Sequence, residues 1–200
     1  MRSARALTAI LPVLFLVAAG CIFEPREAES PDAGEEATWI TPNLPKDVFV
    51  NLTTGLAADA NSNYERSLSQ DFTFVPLPED VGALGAEVFE GWNKEIEMEF
   101  LTRLKGIFLG ERTIQFGDEN MVFDREDIDV PATGFAEFEG EYLMTLDPGD
   151  GSPVEHYAGR AIFYLEKQTQ GWMLTKWEDI DVSGSYPTSG YLRGTLRGSN

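Results

Sequence analysis

The chain has 200 residues, 34 acidic and 15 basic, for a formal charge of −19. That excess repels phosphate backbones and anionic headgroups, which argues against nucleic acid as a partner and against electrostatic docking on a membrane. It favours solubility, and it leaves cations or a basic partner as the ligands that charge would attract.

Met1 to Arg5 carries two arginines, Ala6 to Val17 is an apolar run interrupted by Pro12, and Ala18, Ala19 and Gly20 lead into Cys21, the sole cysteine. The run is too short to span a bilayer, so residues 1–20 read as an export signal. Ala18, Ala19, Gly20 and Cys21 resemble the lipobox of bacterial lipoproteins, with alanine in place of the leucine usual three positions before the cysteine. The resemblance implies that Cys21 becomes the mature N-terminus and is diacylglyceryl-modified and N-acylated. An ordinary secretory signal with an incidental cysteine would instead leave an unpaired thiol in an oxidising compartment. By the sorting rule that comes with the resemblance, Ile22 after the cysteine implies the outer membrane if the cell is Gram-negative. Loss of residues 1–20 leaves 34 acids against 13 bases, a charge of −21.

Residues 21–41 form the lipidated cysteine and a tether. From Phe23 to Thr38 the segment holds six acids against one base, with Pro25, Pro31 and Gly34. Such a composition cannot bury enough apolar surface to offset its ordering entropy, and about eighteen residues of coil span on the order of 20 to 25 Å.

Residues 42–183 are expected to be one domain with a single core. Phe49, Leu52, Leu56 and Ala60 recur at helical spacing after Pro42 and Pro45, interrupted by Gly55. A short second helix through Tyr64 and Leu68 is expected to end near Ser69, followed by a strand over Phe72, Thr73, Phe74 and Val75. Glu79 to Gly91 reads as loop. Trp92, Ile96, Phe100 and Leu104 predict a third helix, with Glu95, Glu97 and Glu99 among its polar positions. Strands are then expected over Arg112–Phe116, Met121–Phe123 and Ile128–Val130. From Ala136 to Leu146, apolar and polar residues alternate, the mark of a half-buried strand. After the turn cluster Asp147 to Pro153, Gly159–Lys167 and Trp172–Trp177 form a hairpin around Gln168–Gly171. Trp172 and Leu174 share a face, but Trp177 breaks the period of two, which predicts a bulge near Thr175 or Lys176. Residues 184–200 read as a polar tail with Arg193 and Arg197 as its charges, lying across the acidic surface or facing a partner.

Two helices, a strand, a third helix and then long antiparallel strands is an α+β order. Tyr64, Leu68, Asp71, Phe72 and Phe74, the helix opening at Trp92, and the ending Gly171, Trp172, Leu174, Trp177 and Asp179 resemble the nuclear transport factor 2-like superfamily, with its SnoaL-like, cystatin-like cone. The resemblance implies three N-terminal helices packed in a cone formed by a strongly bent, mostly antiparallel sheet. With Gly190, Tyr191, Leu192, Arg193 and Gly194 the chain is similar in particular to uncharacterised envelope lipoproteins of that fold. The resemblance covers about Asn43 to Arg197. It implies a hollow that in isomerases, cyclases, dehydratases and epoxide hydrolases houses ionisable side chains, and an open sheet that in many members packs against a second copy.

A proton-transfer site needs a carboxylate or histidine in an apolar pocket. Here the apolar faces of Ala136–Leu146 and of Ala161, Phe163 and Leu165 offer no ionisable group beyond Tyr142. Tyr64, Asp71, Glu95, Glu99, Tyr142, His156, Tyr157, Tyr164 and Asp179 remain, in no spacing that selects a reaction. His156 reads as an exposed strand-end residue, Asp71 as a local hydrogen-bonding aspartate, and Glu178, Asp179 and Asp181 as solvated strand ends. One histidine gives no zinc set, and Asp124, Asp127 and Asp129 lack the spacing and glycine of a calcium loop. No catalytic residue, metal or cofactor is therefore assigned. Tyr64, Trp92, Phe138, Tyr142, Phe163 and Trp177 are expected to line the hollow, which should hold no buried carboxylate or histidine within hydrogen-bonding reach of another titratable group; such a pair would favour an enzyme.

The sequence thus suggests a lipid-anchored cell-envelope protein with a non-catalytic binding or interaction domain. Its partners would be the membrane through Cys21, a small apolar ligand, a second copy or an envelope protein. A small-molecule enzyme using the cone and a structural subunit of a homodimer or envelope complex stay open.

Overall fold

The computed structural model describes residues 38–117 and 134–198. The export signal, Cys21, most of the tether, the strands expected at Met121–Phe123 and Ile128–Val130, and Asp124, Asp127 and Asp129 lie outside the described residues. Those described form five α-helices and five strands: α1 Pro45–Ala57, α2 Ser62–Ser67, β1 Leu68–Val75, α3 Pro78–Leu84, α4 Lys94–Ile107, β2 Arg112–Phe116, β3 Phe135–Leu146, β4 Glu155–Gln168, β5 Gly171–Val182 and α5 Ser189–Gly198. A single 3-10 turn, Ala86–Val88, separates α3 from α4.

Local chemistry sets the helix ends. Pro45 occupies the first turn of α1, where a missing N–H costs nothing, and the Asp47 carboxylate accepts the Leu44 N–H at 2.8 Å. At the other end the last carbonyls of α1 are met by cations from distant elements: Lys105 Nζ donates to Gly55 O, Arg112 Nε to Leu56 O and Arg112 Nη2 to Ala57 O. Partial burial, with Arg112 nearby, pushes the Lys105 ammonium down to about 8. Gly55, which weakens α1 by propensity, sits against the backbone of Tyr64, and a Cβ there would overlap it. Helices α1 and α2 can approach this closely only at glycine. The Asn93 side chain caps α4 by accepting the Ile96 N–H at 3.0 Å.

The strands form one sheet in the order β1-β5-β4-β3-β2, with β1 parallel to β5 and the remaining pairs antiparallel. Its register aligns Phe138 of β3, Phe163 of β4, Trp177 of β5 and Phe74 of β1 in one row across four strands. The pairing of β4 with β5 slips between Leu165↔Leu174 and Tyr164↔Lys176, so Thr175 is the extra residue of the expected bulge. That extra residue turns Trp177 inward. The three central helix faces, carrying Val48, Phe49, Leu52 and Leu56, Tyr64, and Phe100, Leu101 and Leu104, pack on this inner surface as one core. Burial of each such side chain stabilises by roughly 1.5–3 kcal/mol relative to exposure.

Several expectations need correction. Leu68 begins a strand and does not close a helix, because β1 starts there to pair with Leu174. Glu79–Gly91 is not loop but α3 and the 3-10 turn, started by Pro78 with Glu79 and Asp80 in the first turn, where the helix dipole favours acids. The hairpin strands are longer than read, running to Glu155 and to Val182. Within the expected polar tail Ser189–Gly198 is instead an amphipathic helix, α5, which buries Leu192, Leu196 and Arg193.

Candidate functional site

The inner wall of the cone is not purely apolar, which overturns the expected absence of a buried carboxylate paired with another titratable group. Glu97 of α4 is 0% exposed and Arg193 of α5 1% exposed. Each Glu97 oxygen takes two donors. Oε1 accepts from Tyr64 Oη at 2.9 Å and Arg193 Nη2 at 2.7 Å; Oε2 accepts from Trp92 Nε1 at 2.8 Å and Arg193 Nε at 3.0 Å. The guanidinium carbon also lies 4.3 Å from the ring centre of Phe74, 4.5 Å from Trp177 and 4.9 Å from Phe100. A planar fork meeting a carboxylate edge-on while aromatic rings hold its faces is geometry that arginine alone among side chains supplies.

A second buried carboxylate stands beside it. Asp179 of β5 is 3% exposed, follows Trp177 inward by two residues, and accepts from Trp177 Nε1 at 2.8 Å, Ser189 Oγ at 3.0 Å and Gly190 N at 3.0 Å. Tyr142 Oη accepts the Ser189 N–H at 2.9 Å, and its ring packs 5.3 Å from Trp177. Asp179 and Tyr142 thus receive the free N–H groups at the start of α5, where the helix dipole favours negative charge. Asp80 of α3 accepts from Thr188 Oγ1 just before it, and Arg103 of α4 donates to Leu196 O near its far end. Gly190 and Gly194 let the helix sit this low: a Cβ at Gly190 would come 2.6 Å from Asp80 Oδ2, and one at Gly194 2.6 Å from Leu84 and Phe89 side-chain atoms.

Burial sets the acid–base character. Desolvation pushes the Asp179 carboxyl up to about 6, with Arg193 and its hydrogen-bond donors holding it from rising further. Burial and the adjacent Glu97 charge push the Tyr64 phenol well above its usual range, and burial with Asp179 does the same to Tyr142. Burial alone would depress Arg193, yet the Glu97 carboxylate more than compensates and raises it. The interior therefore pairs Arg193 with Glu97 and sets beside them the Asp179 carboxyl, raised to about 6.

Of the residues expected to line the hollow, Tyr64 and Trp92 converge on Glu97, Trp177 lies against both Arg193 and Asp179 with Tyr142 packed on its ring, and Phe163 packs on the ring of Trp177. Phe138 lies half-buried farther along the sheet, beside Phe49. The candidates Glu95 and Glu99 face solvent, as does Asp71, whose N–H donates to Ser69 Oγ. Tyr164 lies on the outer face beside Glu178 and Lys176. His156 is half-buried, with Nδ1 3.2 Å from Thr145 Oγ1 and its ring against Tyr186, so it is not the exposed strand end expected. Tyr157 donates to Glu155 Oε2, and its hydroxyl is raised by burial first. Asp179 is likewise no solvated strand end, because β5 continues past it to Val182. Sequence reasoning missed Glu97, although it shares an i, i+4, i+7 stripe with Leu101 and Leu104, and Arg193, although Leu192 and Leu196 have the same helical spacing. Among the described residues no group of three His, Cys, Asp or Glu is placed to hold a metal ion, and no helix is long and apolar enough to cross a membrane.

Two measurements follow from this geometry. Arg193→Ala and Glu97→Ala should each lower unfolding free energy by about 3–5 kcal/mol, since each strands a buried charge or its donors, and the double variant should lose clearly less than the sum. Urea melts of the four proteins provide the cycle; additive losses would mean the pair is not coupled. For Asp179, a folded-state value above the unfolded one means its stabilising share is full below about pH 4 and is lost as pH rises through about 6, a change of about 3 kcal/mol. Stability measured between pH 4 and 8 should therefore decline in the native protein relative to Asp179→Asn, and parallel curves would refute the assignment.

No protein-family model and no curated protein matches the chain. Solved structures do. A candidate scytalone dehydratase from Novosphingobium aromaticivorans is similar at 12% identity and TM-score 0.51, over 72% of this chain and 90% of that one. A candidate aromatic ring hydroxylase from the same organism has 13% identity and TM-score 0.49, covering 70% and 87%. A nuclear transport factor 2-like superfamily protein from Salmonella enterica has 14% identity and TM-score 0.45, covering 72% and 93%. At these identities the likeness is one of fold: the described domain is an α+β cone, a bent mostly antiparallel sheet packed on helices, as in the candidate scytalone dehydratase.

Proposed function

We propose that the chain is a lipid-anchored cell-envelope protein, acylated at Cys21, whose cone serves as a binding or interaction module without catalytic activity. The observation that carries the non-catalytic part is the saturation of the interior carboxylates. Glu97 already receives four donors, two of them from Arg193, and Asp179 is engaged by Trp177, Ser189 and Gly190. A general acid or base must present a free lone pair or proton to a substrate within about 2.6–3.2 Å. In this cone α5 occupies that place.

The anchoring part rests on the sequence of residues 18–21 and on the acidic tether that follows. Two or three acyl chains hold a protein stably at a membrane where one would not. Ile22 after the cysteine favours the outer membrane in a Gram-negative cell.

A second reading, a small-molecule enzyme using the cone, is favoured by one feature: Asp179, raised to about 6, stands next to Tyr142 in an aromatic enclosure. It requires α5 to open. Amide hydrogen exchange distinguishes the two readings. A sealed module should exchange the α5 amides from Leu192 to Leu196 only through global unfolding, whereas an enzyme that opens its cone should exchange them through a lower-energy local event.

Anchoring is tested by intact mass of the chain from bacterial membranes. The mature protein should begin at an acylated Cys21, and Cys21→Ser should leave the membrane fraction; an unmodified Cys21 in that fraction would overturn the anchor.

A further inference from the structure

We propose that the cone contains a receptor for an alkylguanidinium group, built by Glu97, Phe74, Phe100 and Trp177, and that Arg193 is its occupant, supplied by the chain itself. The proposal goes beyond the envelope module described above and stands whether or not Cys21 is acylated.

The receptor and its occupant come from separate parts of the fold. Glu97 and Phe100 belong to α4, Phe74 to β1 and Trp177 to β5, while the cation arrives on α5, after the sheet is complete. Glu97 is also aimed without help from α5. Tyr64 Oη holds one carboxylate oxygen at 2.9 Å and Trp92 Nε1 the other at 2.8 Å, so the edge offered to the guanidinium is fixed by α2 and by the residue two before α4. Preorganisation of this kind reduces the ordering cost that a ligand must overcome.

The chemistry selects guanidinium over ammonium. Two oxygens of one carboxylate meet Nη2 at 2.7 Å and Nε at 3.0 Å, a spacing that suits a planar fork and that a single ammonium nitrogen cannot match. Three ring centres lie within 4.9 Å of the guanidinium carbon, so a delocalised, weakly hydrated cation exchanges water for aromatic faces. Arg193 Nη1 is buried and has no hydrogen-bond partner among the described residues. Recognition is thus confined to the Nε/Nη2 edge and the two faces of the group, which any monosubstituted guanidinium presents.

Because Arg193 is tethered, its effective concentration at the site excludes free competitors in the native chain. Shortening it should expose the receptor, in the way that an engineered internal cavity admits a small ligand of matching shape. The full chain carrying Arg193→Ala is titrated with millimolar methylguanidinium chloride, with methylammonium chloride at equal ionic strength as the comparison. Melting temperature and tryptophan fluorescence are the readouts, since Trp92 and Trp177 border the site.

Methylguanidinium should raise the melting temperature of Arg193→Ala along a saturating curve, at about a tenfold lower concentration than methylammonium. The native chain should not respond. Nor should Arg193→Met, whose side chain fills the space, or Arg193→Ala combined with Glu97→Gln, which removes the carboxylate charge. If Arg193→Ala is unfolded alone, recovery of its near-UV circular dichroism in methylguanidinium supports the receptor. Equal responses to the two cations, a response of the Met variant, or no recovery at any concentration would overturn it.

Discussion

The domain depends on one buried ion pair. Glu97 and Arg193 are separated by 96 positions in sequence, and both are withdrawn from water. Desolvating two such ions costs several kcal/mol each, and attraction offsets this only where the remaining lone pairs and donors are also met. Glu97 satisfies its half of that condition, with one phenol, one indole and two guanidinium nitrogens on its two oxygens, whereas Arg193 leaves Nη1 buried without a partner among the described residues. What the pair supplies in geometry is a fixed register for α5. An apolar contact would tolerate α5 sliding or rotating by a residue, whereas a bidentate bond inside an aromatic cage does not.

Everything around the pair serves to lower its dielectric surroundings and to fix its partners. The row of Phe138, Phe163, Trp177 and Phe74 lines the sheet, and the Thr175 bulge turns Trp177 into that row. Edge-to-face contacts of Phe163 at 4.9 Å and Phe116 at 5.8 Å hold the Trp177 ring in turn. Its indole nitrogen donates to Asp179, and Asp179 receives the start of α5. The extra residue Thr175 thus puts Trp177 and Asp179 on the face of β5 that meets the last helix.

The sheet was legible in the sequence because its signal is a period of two over long runs. Alternation from Ala136 to Leu146 marked β3, and the phase break at Trp177 marked the bulge. The helices were legible where apolar spacing was dense, as in α1 and α4, and not in α3, whose seven residues include Gly82 and are too few for periodicity to show. The site itself was hidden by residue type. Glu97 lies on the buried stripe of α4 between solvent-facing Glu95 and Glu99, and a carboxylate among carboxylates reads as surface. In α5, Gly190 and Gly194 signal a tail by propensity, although close packing is what requires them. Asp179 was misplaced because β5 appeared to stop at Trp177; the parity that sends Trp177 inward sends Asp179 after it.

A cone lined by phenylalanine and tryptophan suits an apolar molecule, and its ionisable groups would suit acid–base chemistry on that molecule. Here the same lining is turned to another use. The rings stabilise a cation through their faces, the acid meets that cation, and the second acid caps the helix that carries it. The outer sheet face meanwhile keeps its charges in solvent, with Arg160 paired to Glu139 at 2.7 Å between half-exposed partners, where an ion pair contributes little. Charge on this protein is thus of two physical kinds. The many acids outside favour solubility, whereas the few ionisable groups inside hold α5 against the sheet.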